Sequence, residues 1–175
     1  MDTVAFRVYV NKLTYDKTYQ DIEYINTIGY AMSFRTWNHI RNLVQWKDKR
    51  VADLGCFHGY FTFKVAKEGA KAVGFDRSPE VLKTTEILNK EYGNIAEFRQ
   101  WTGGEALPEE FDVALILNVL HHFADPRVAL EKIPCKTVIF EVQKEQLPLI
   151  EEFYSFDELI ESHRAGRIIV LGERR

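Results

Sequence analysis

The sequence predicts an α/β protein built on a doubly wound, mostly parallel sheet of about six or seven strands with helices on both faces. Three observations lead there. From Arg50 onward, short apolar segments of strand length alternate with segments of helical character. The strand candidates are near-continuous hydrophobic runs, as at Phe111–Leu117, which suits burial on both faces. Glycine or a helix-start signal stands where a strand must turn into a helix, as at Gly55–Gly59 and Ser78-Pro79-Glu80.

The elements follow in order. Residues 1–34 are polar and rich in tyrosine (Tyr9, Tyr15, Tyr19, Tyr24, Tyr30), without clean periodicity. A helix is expected over Ser33–Trp46, with Trp37, Ile40, Val44 and Leu43 toward one face. Residues 1–46 thus form a helical or lid-like N-terminal segment on a core of residues 50–175, all within one domain. Arg50–Leu54 is a buried strand, followed by a glycine turn and a helix over Tyr60–Glu68 that stops at Gly69. Lys71–Asp76 is the second strand. Ser78 caps the next helix, Pro79 takes its first position and Glu80 complements its dipole, and Gly93 ends it. Ile95–Gln100 and Phe111–Leu117 are the third and fourth strands. A short helix (Pro126–Ile133), a fifth strand (Thr137–Val142), a helix around Phe156–Ser162 and a last strand (Arg167–Leu171) complete the chain. No crossover helix fits after that last strand, which leaves it free to run antiparallel.

Composition narrows the class. The chain has 175 residues, of which 46% are hydrophobic, enough for a single core. A net charge of -3 gives no basic field that would advertise nucleic acid. Cys56 and Cys135 stand far apart without metal-ligand spacing, so both are expected as reduced thiols, with no zinc site. No apolar run is long enough to span a bilayer, and the N-terminus has no signal-peptide core. The expectation is a cytoplasmic protein that needs neither membrane nor metal.

In open α/β sheets a ligand sits beyond the carboxyl ends of the strands, where strand order reverses. The first strand's exit, Asp53-Leu54-Gly55-Cys56-Phe57-His58-Gly59, is therefore the place to look. Asp76 ends the second strand, about 20 residues on, where an acid would bind the hydroxyls of a ribose. A dinucleotide loop would have glycine at Phe57 and a third glycine five residues after the first. Here Phe57 breaks the pattern and Gly59 follows Gly55 by four. The loop suits a ligand with no pyrophosphate to cradle against the helix N-terminus.

These segments together resemble the class I S-adenosylmethionine-dependent methyltransferases, with their Rossmann-like fold. Val51–Gly59 is similar to the family's first motif, Val73-Gly74-Phe75-Asp76 to its acidic second-strand motif, and Phe111–Phe123, with Val119-Leu120-His121-His122, to its fourth-strand motif. The resemblance implies a methyltransferase that uses S-adenosylmethionine. It places Asp53 and Gly55, with Cys56, Phe57 and Gly59 of the same loop, at the methionine end, and Asp76 on the ribose. Arg77, Trp101 and Thr102 would flank the adenine, and Asn118 would hold the methionine amino group. A finer resemblance, carried by Phe57–Phe63, Glu68-Gly69-Ala70 and Asn118–His122 with Asp125-Pro126, is to a wobble-uridine tRNA methyltransferase-like branch.

Methyl transfer from a sulfonium is an in-line displacement, so alignment supplies most of the acceleration. An acceptor that loses a proton needs a base, and His121 and His122 follow the fourth strand where such a base would stand. Both can equally be capping and packing residues. His58 is read as a loop-shaping residue and His163 as solvated. Asp53 has a second possible role in holding loop amides, Asp76 in capping the Ser78 helix, and Trp101 in the core. Arg35 is the substrate-side candidate for an anionic acceptor. The N-terminal tyrosines and Trp37 would join it in a lid, although the plainer reading for Trp37 is a helix packed with its aromatic face on the sheet. The basic runs at Lys47–Arg50, His163-Arg164 and Arg174-Arg175 are read as solvated surface, and otherwise as the only support from charge for an RNA partner. The methyl acceptor is thus a small molecule or RNA. The competing readings are a non-catalytic cofactor-binding or partner subunit and, less favoured because of the broken glycine pattern, a nicotinamide-dependent oxidoreductase.

Overall fold

A computed structural model describes residues 18–175 together with Val4, Ala5 and Val8, so Tyr9 and Tyr15 lie outside the described residues. The apolar runs become strands: β1 (Arg50–Leu54), β2 (Lys71–Asp76), β3 (Glu97–Gln100), β4 (Val113–Leu117), β5 (Thr137–Gln143), β6 (Tyr154–Ser155), β7 (Ile160–Glu161) and β8 (Arg167–Arg174). The main helices are α1 (Ser33–Ile40), α2 (Tyr60–Lys67), α3 (Pro79–Glu91), α4 (Pro126–Lys132) and α5 (Leu147–Glu151). The strands make one sheet in the order β3-β2-β1-β4-β5-β8-β6, and β7 pairs with β8. The ladders from β3 to β5 are parallel, and β8 runs antiparallel to β5.

Alternation along each strand divides the apolar side chains between two layers. Ala52, Leu54, Ala114, Ile116 and Phe140 pack with Leu130 and Ile150 on the face covered by α4 and α5. Val51, Ala72, Leu115 and Ile139 pack with Trp37, Ile40, Phe61 and Val65 on the face covered by α1 and α2. The order reverses between β1 and β4: the chain moves outward from β1 to β3, then returns to lay β4 on the other side. The loops leaving β1 and β4 therefore flank a crevice, the position at which such sheets bind ligands.

Three expectations change. The helix that begins at Ser33 ends at Ile40 rather than Trp46. There the Trp46 indole folds back to donate to the Arg41 carbonyl at 2.6 Å and packs against Trp37. The third strand begins at Glu97 rather than Ile95, because the Asn89 side-chain amide binds both backbone groups of Ala96 and holds it off the ladder. No helix forms around Phe156–Ser162. Ile160–Glu161 instead pairs with Ile168 and Ile169 of β8, while Tyr154–Ser155 pairs with its far end. These two short strands cover an edge that an eight-residue β8 would otherwise leave open. The helical turn falls earlier, at α5, where Pro148 fixes the first turn and Ile150 is buried against the sheet.

Candidate functional site

The β1 exit loop is shaped by main-chain hydrogen bonds before any side chain acts. The Gly55 and Cys56 N–H groups both donate to the Phe75 carbonyl, at 2.8 and 2.9 Å, folding the loop over the end of β2. Gly55 has φ +73°, and a Cβ there would lie 2.4 Å from Val119 Cγ2, so β4's exit presses directly against it. Phe57 has φ 50° without being glycine, a backbone strain of the kind that collects at ligand sites. What holds it is Asp76, whose Oδ2 accepts the Phe57 N–H at 3.0 Å while Oδ1 accepts that of Ser78 at 2.9 Å. Ser78 caps α3 itself, accepting from Val81 N. Asp76 thus joins the two βα turns and still keeps free lone pairs toward the crevice.

A cavity of about 580 Å³ opens over the β1/β4 reversal, within the size range of small-molecule sites. Gly55, Phe57, Asp76, Arg77, Trp101, Thr102 and Asn118 line it, so seven of the ten cofactor-side candidates converge there. Asp53, Cys56 and Gly59 do not line it. Asp53 is buried and accepts a 2.6 Å hydrogen bond from Thr62 Oγ1, tying β1 to α2. Burial raises its pKa to about 6, against the lowering effect of the Thr62 hydroxyl and amide. Burial also pushes the Cys56 thiol up, and both cysteines are unpaired thiols. His58 is buried behind the loop, where desolvation lowers its pKa to about 4.

On the cavity lining, Trp101 is core and wall at once. It is buried against Phe75 and Phe123, and its indole donates to Glu105 O at 3.1 Å. Thr102 is fixed by two hydrogen bonds to the Glu105 carboxylate. Asn118 also lines the cavity, with φ 61° and its N–H bonded to the Glu141 carbonyl at 2.8 Å. Its side-chain amide donates to the Tyr19 hydroxyl. Its Oδ1 is buried and finds no partner among the described residues. An orphaned acceptor aimed at a cavity fits a ligand that brings an N–H donor, such as an ammonium group.

Of the histidines, His122 lines the cavity and His121 does not, although their rings lie 4.0 Å apart. Desolvation first, then His122 and Arg167, lower the His121 pKa. The two substrate-side candidates stay away from the cavity: Arg35 is exposed on α1, and Trp37 packs in the core against Trp46.

Several residues at the site were not singled out from the sequence. Gln20 lines the cavity beside Tyr19 and Tyr30, which are two of the N-terminal tyrosines read as lid candidates. Ser33 brings a buried hydroxyl without a partner. Arg164, read as surface, lies over the Tyr19 ring and donates to its hydroxyl at 2.8 Å. His163, read as solvated, sits 3.0 Å from the Ala31 carbonyl. Glu141 is 1% exposed on β5 and accepts from Thr36 and Ser162. A carboxylate inside an otherwise apolar strand was the one signal that pointed to it. Among the described residues no cluster of three or more His, Cys, Asp or Glu could hold a metal ion, and no helix is long and apolar enough to cross a membrane.

The fold and the cavity together make a Rossmann-like sheet with a site of small-molecule size where its strand order reverses. Residues 52–134 match the family model described as a methyltransferase domain. The chain is 37% identical over 101 residues to a tRNA U34 carboxymethyltransferase of Helicobacter pylori, an alignment covering 54% of this chain and 39% of that protein. It is 35% identical over 92 residues to a ubiquinone biosynthesis O-methyltransferase of Pseudomonas fluorescens, covering 51% and 40%. The chain thus spans about two fifths of the length of these curated relatives. In three dimensions it is similar to the magnesium protoporphyrin IX methyltransferase of Synechocystis PCC 6803 with bound S-adenosylmethionine. That match has a TM-score of 0.71 and 16% identity, and it covers 100% of this chain and 98% of that one. The matched segment, residues 52–134, thus resembles a methyltransferase domain and carries the β2 end at Asp76 and the β4 exit at Asn118.

Proposed function

We propose that this chain binds S-adenosylmethionine in the cavity over β1 and β4 and transfers its methyl group to an acceptor that is a small molecule or RNA. The observation that carries the proposal is the convergence on one cavity of Asp76, with free carboxylate lone pairs, and Asn118, with an orphaned carbonyl oxygen. These are the groups a ribose and an ammonium need, on the lining of one cavity. The O-methyltransferase relative supports methyl transfer, whereas the tRNA relative is named for transfer of a carboxymethyl group; the Synechocystis neighbour supports the fold.

When bound, the cofactor supplies an electrophilic methyl on a positively charged sulfur. The chain's own residues hold and align. Asp76 accepts from the ribose hydroxyls, Trp101 and Phe123 wall the adenine, and Thr102 and Arg77 frame it. Asn118 Oδ1 accepts from the amino group. Arg164, fixed on Tyr19, offers a cation to a carboxylate. Tyr19, Tyr30 and Phe57 exclude water, and the Phe57 ring meets Tyr19 edge-on at 5.5 Å. His122, at the mouth beyond β4, is the acceptor-side candidate to take a proton. His121 stands next to it, its pKa lowered chiefly by desolvation.

The names of the two relatives point to different acceptors, a tRNA uridine and a quinone precursor, so the class of acceptor is a question for experiment. The chain is incubated with methyl-labelled S-adenosylmethionine and either bulk tRNA or a protein-free small-molecule extract. Label is expected in one fraction and not the other. Label in neither, alongside normal cofactor binding, would favour the non-catalytic binding subunit.

A further inference from the structure

Glu141 presents a buried carboxylate to the cavity, and the reading above gives it no role. It closes the β4–β5 ladder in register with Leu117, one residue before Asn118. Phe140 and Val142 point to the α4/α5 face, so strand alternation turns Glu141 toward α1. There it is 1% exposed. Thr36 Oγ1 donates to both of its oxygens, at 3.2 and 3.3 Å. The Ser162 hydroxyl, which itself accepts from Arg164 N at 3.1 Å, also donates to it. The carboxylate's hydrogen bonds are therefore met by neutral hydroxyls. Its charge is not met: no Lys, Arg or His forms an ion pair with it among the described residues. A buried charge without a counter-charge is costly. A second observation marks the same wall as ligand-facing, since Ser33 Oγ also lines the cavity, buried and without a partner.

We infer that Glu141 is the counter-charge for the cofactor's sulfonium, so that the site distinguishes S-adenosylmethionine from its neutral-sulfur product. A sulfonium has a full positive charge and no hydrogen to donate. A carboxylate already satisfied by two hydroxyls but lacking a cation is matched to that kind of group. The ammonium has its own acceptor in Asn118 Oδ1, and a carboxylate has Arg164. The sulfonium is the charge left over, and Glu141 is the wall charge left over. The consequence is functional: the product is released more readily because its sulfur no longer pairs with Glu141.

The inference rests on the proposed cofactor site, and one experiment separates the two. S-adenosylmethionine and S-adenosylhomocysteine are titrated calorimetrically into the wild-type chain, Glu141→Gln and Glu141→Asp, with melting temperatures recorded for each. If the wild type binds neither ligand, the cofactor reading itself fails. If it binds both, Glu141→Gln, which keeps the shape and the hydroxyl contacts, is expected to weaken S-adenosylmethionine tenfold or more while S-adenosylhomocysteine changes less than threefold. Glu141→Asp, which keeps the charge, is expected to retain the preference and decides the matter should the glutamine variant fail to fold. Equal losses for the two ligands, or none, would assign Glu141 to tying α1 and the β8 entry to the sheet and overturn the inference.

Discussion

Asp76 and Asp53 are both strand-end carboxylates, but their surroundings give them different work. Asp76 faces the cavity with two backbone N–H groups already bound. A hydrogen bond to a charged group contributes about 1.5–3 kcal/mol, so Asp76→Ala should weaken S-adenosylmethionine tenfold or more by titration calorimetry. Unchanged affinity would remove the ribose assignment. Asp53 is sealed between β1 and α2 with its pKa raised to about 6. Above that value it is ionised in the folded chain, and below about 3.9 it is protonated in the unfolded chain too. Between the two the folded state binds more protons, so its contribution to stability falls as pH rises through the window and stays low above it. His58, with its pKa lowered to about 4, works in the opposite direction: the unfolded state binds more protons between that value and about 6.5, and stability rises with pH. Asp53→Asn should therefore gain stability relative to wild type on going from pH 4 to pH 7 in urea melts, by an amount on the order of 2 kcal/mol. A constant difference across the range would contradict the buried-acid account. Asp76 was legible because the end of a second strand is a position with a known job. Glu141 and Arg164 were not: one hides in an apolar run, and the other is brought to Tyr19 only by folding of the β7–β8 turn.

The elements formed where local chemistry and long-range packing agreed. Ser78-Pro79 and Asp125-Pro126 start α3 and α4 as their caps require, with Asp125 Oδ1 accepting from Arg127 N and Val128 N at 3.0 and 3.1 Å. Asp125→Ala should cost about 1 kcal/mol and lower the melting temperature by roughly 2–4 °C in a chain of this size. The loop after β1 allows a sharper test. At Gly55→Ala, the new Cβ meets Val119 Cγ2 at 2.4 Å while φ is +73°, so the loop must shift against β4. A loss of roughly 1–3 kcal/mol is expected, together with loss of cofactor binding. The elements that could not be read depended on distant partners. Ile160–Glu161 has no periodicity to announce a strand and becomes one because β8 offers an unpaired edge. The α1 helix stops at Ile40 because Trp46 returns to Trp37 and Arg41.

For the molecule as a whole, the sheet order matters more than any single residue. Placing β4 beside β1 brings Val119 onto Gly55 and puts Asn118 and Asp76 on the lining of one cavity. The alternating pattern from Arg50 to Val142 announced a doubly wound, mostly parallel sheet, and the structure supplies the order of its strands. The N-terminal residues that close the cavity, Tyr19, Gln20, Tyr30 and Ser33, carried no periodic signal, because they fold against the site rather than into the sheet. A ligand that binds only the folded chain adds about 2.7 kcal/mol at a concentration one hundred times its dissociation constant. Saturating S-adenosylmethionine should therefore raise the melting temperature by roughly 5–10 °C. The most direct measurement is calorimetric titration of S-adenosylmethionine into the wild-type chain, with a nicotinamide dinucleotide titrated in parallel. One-to-one binding of the first and no heat from the second is the predicted result. Binding of the dinucleotide with no response to S-adenosylmethionine would contradict the assignment of the cavity.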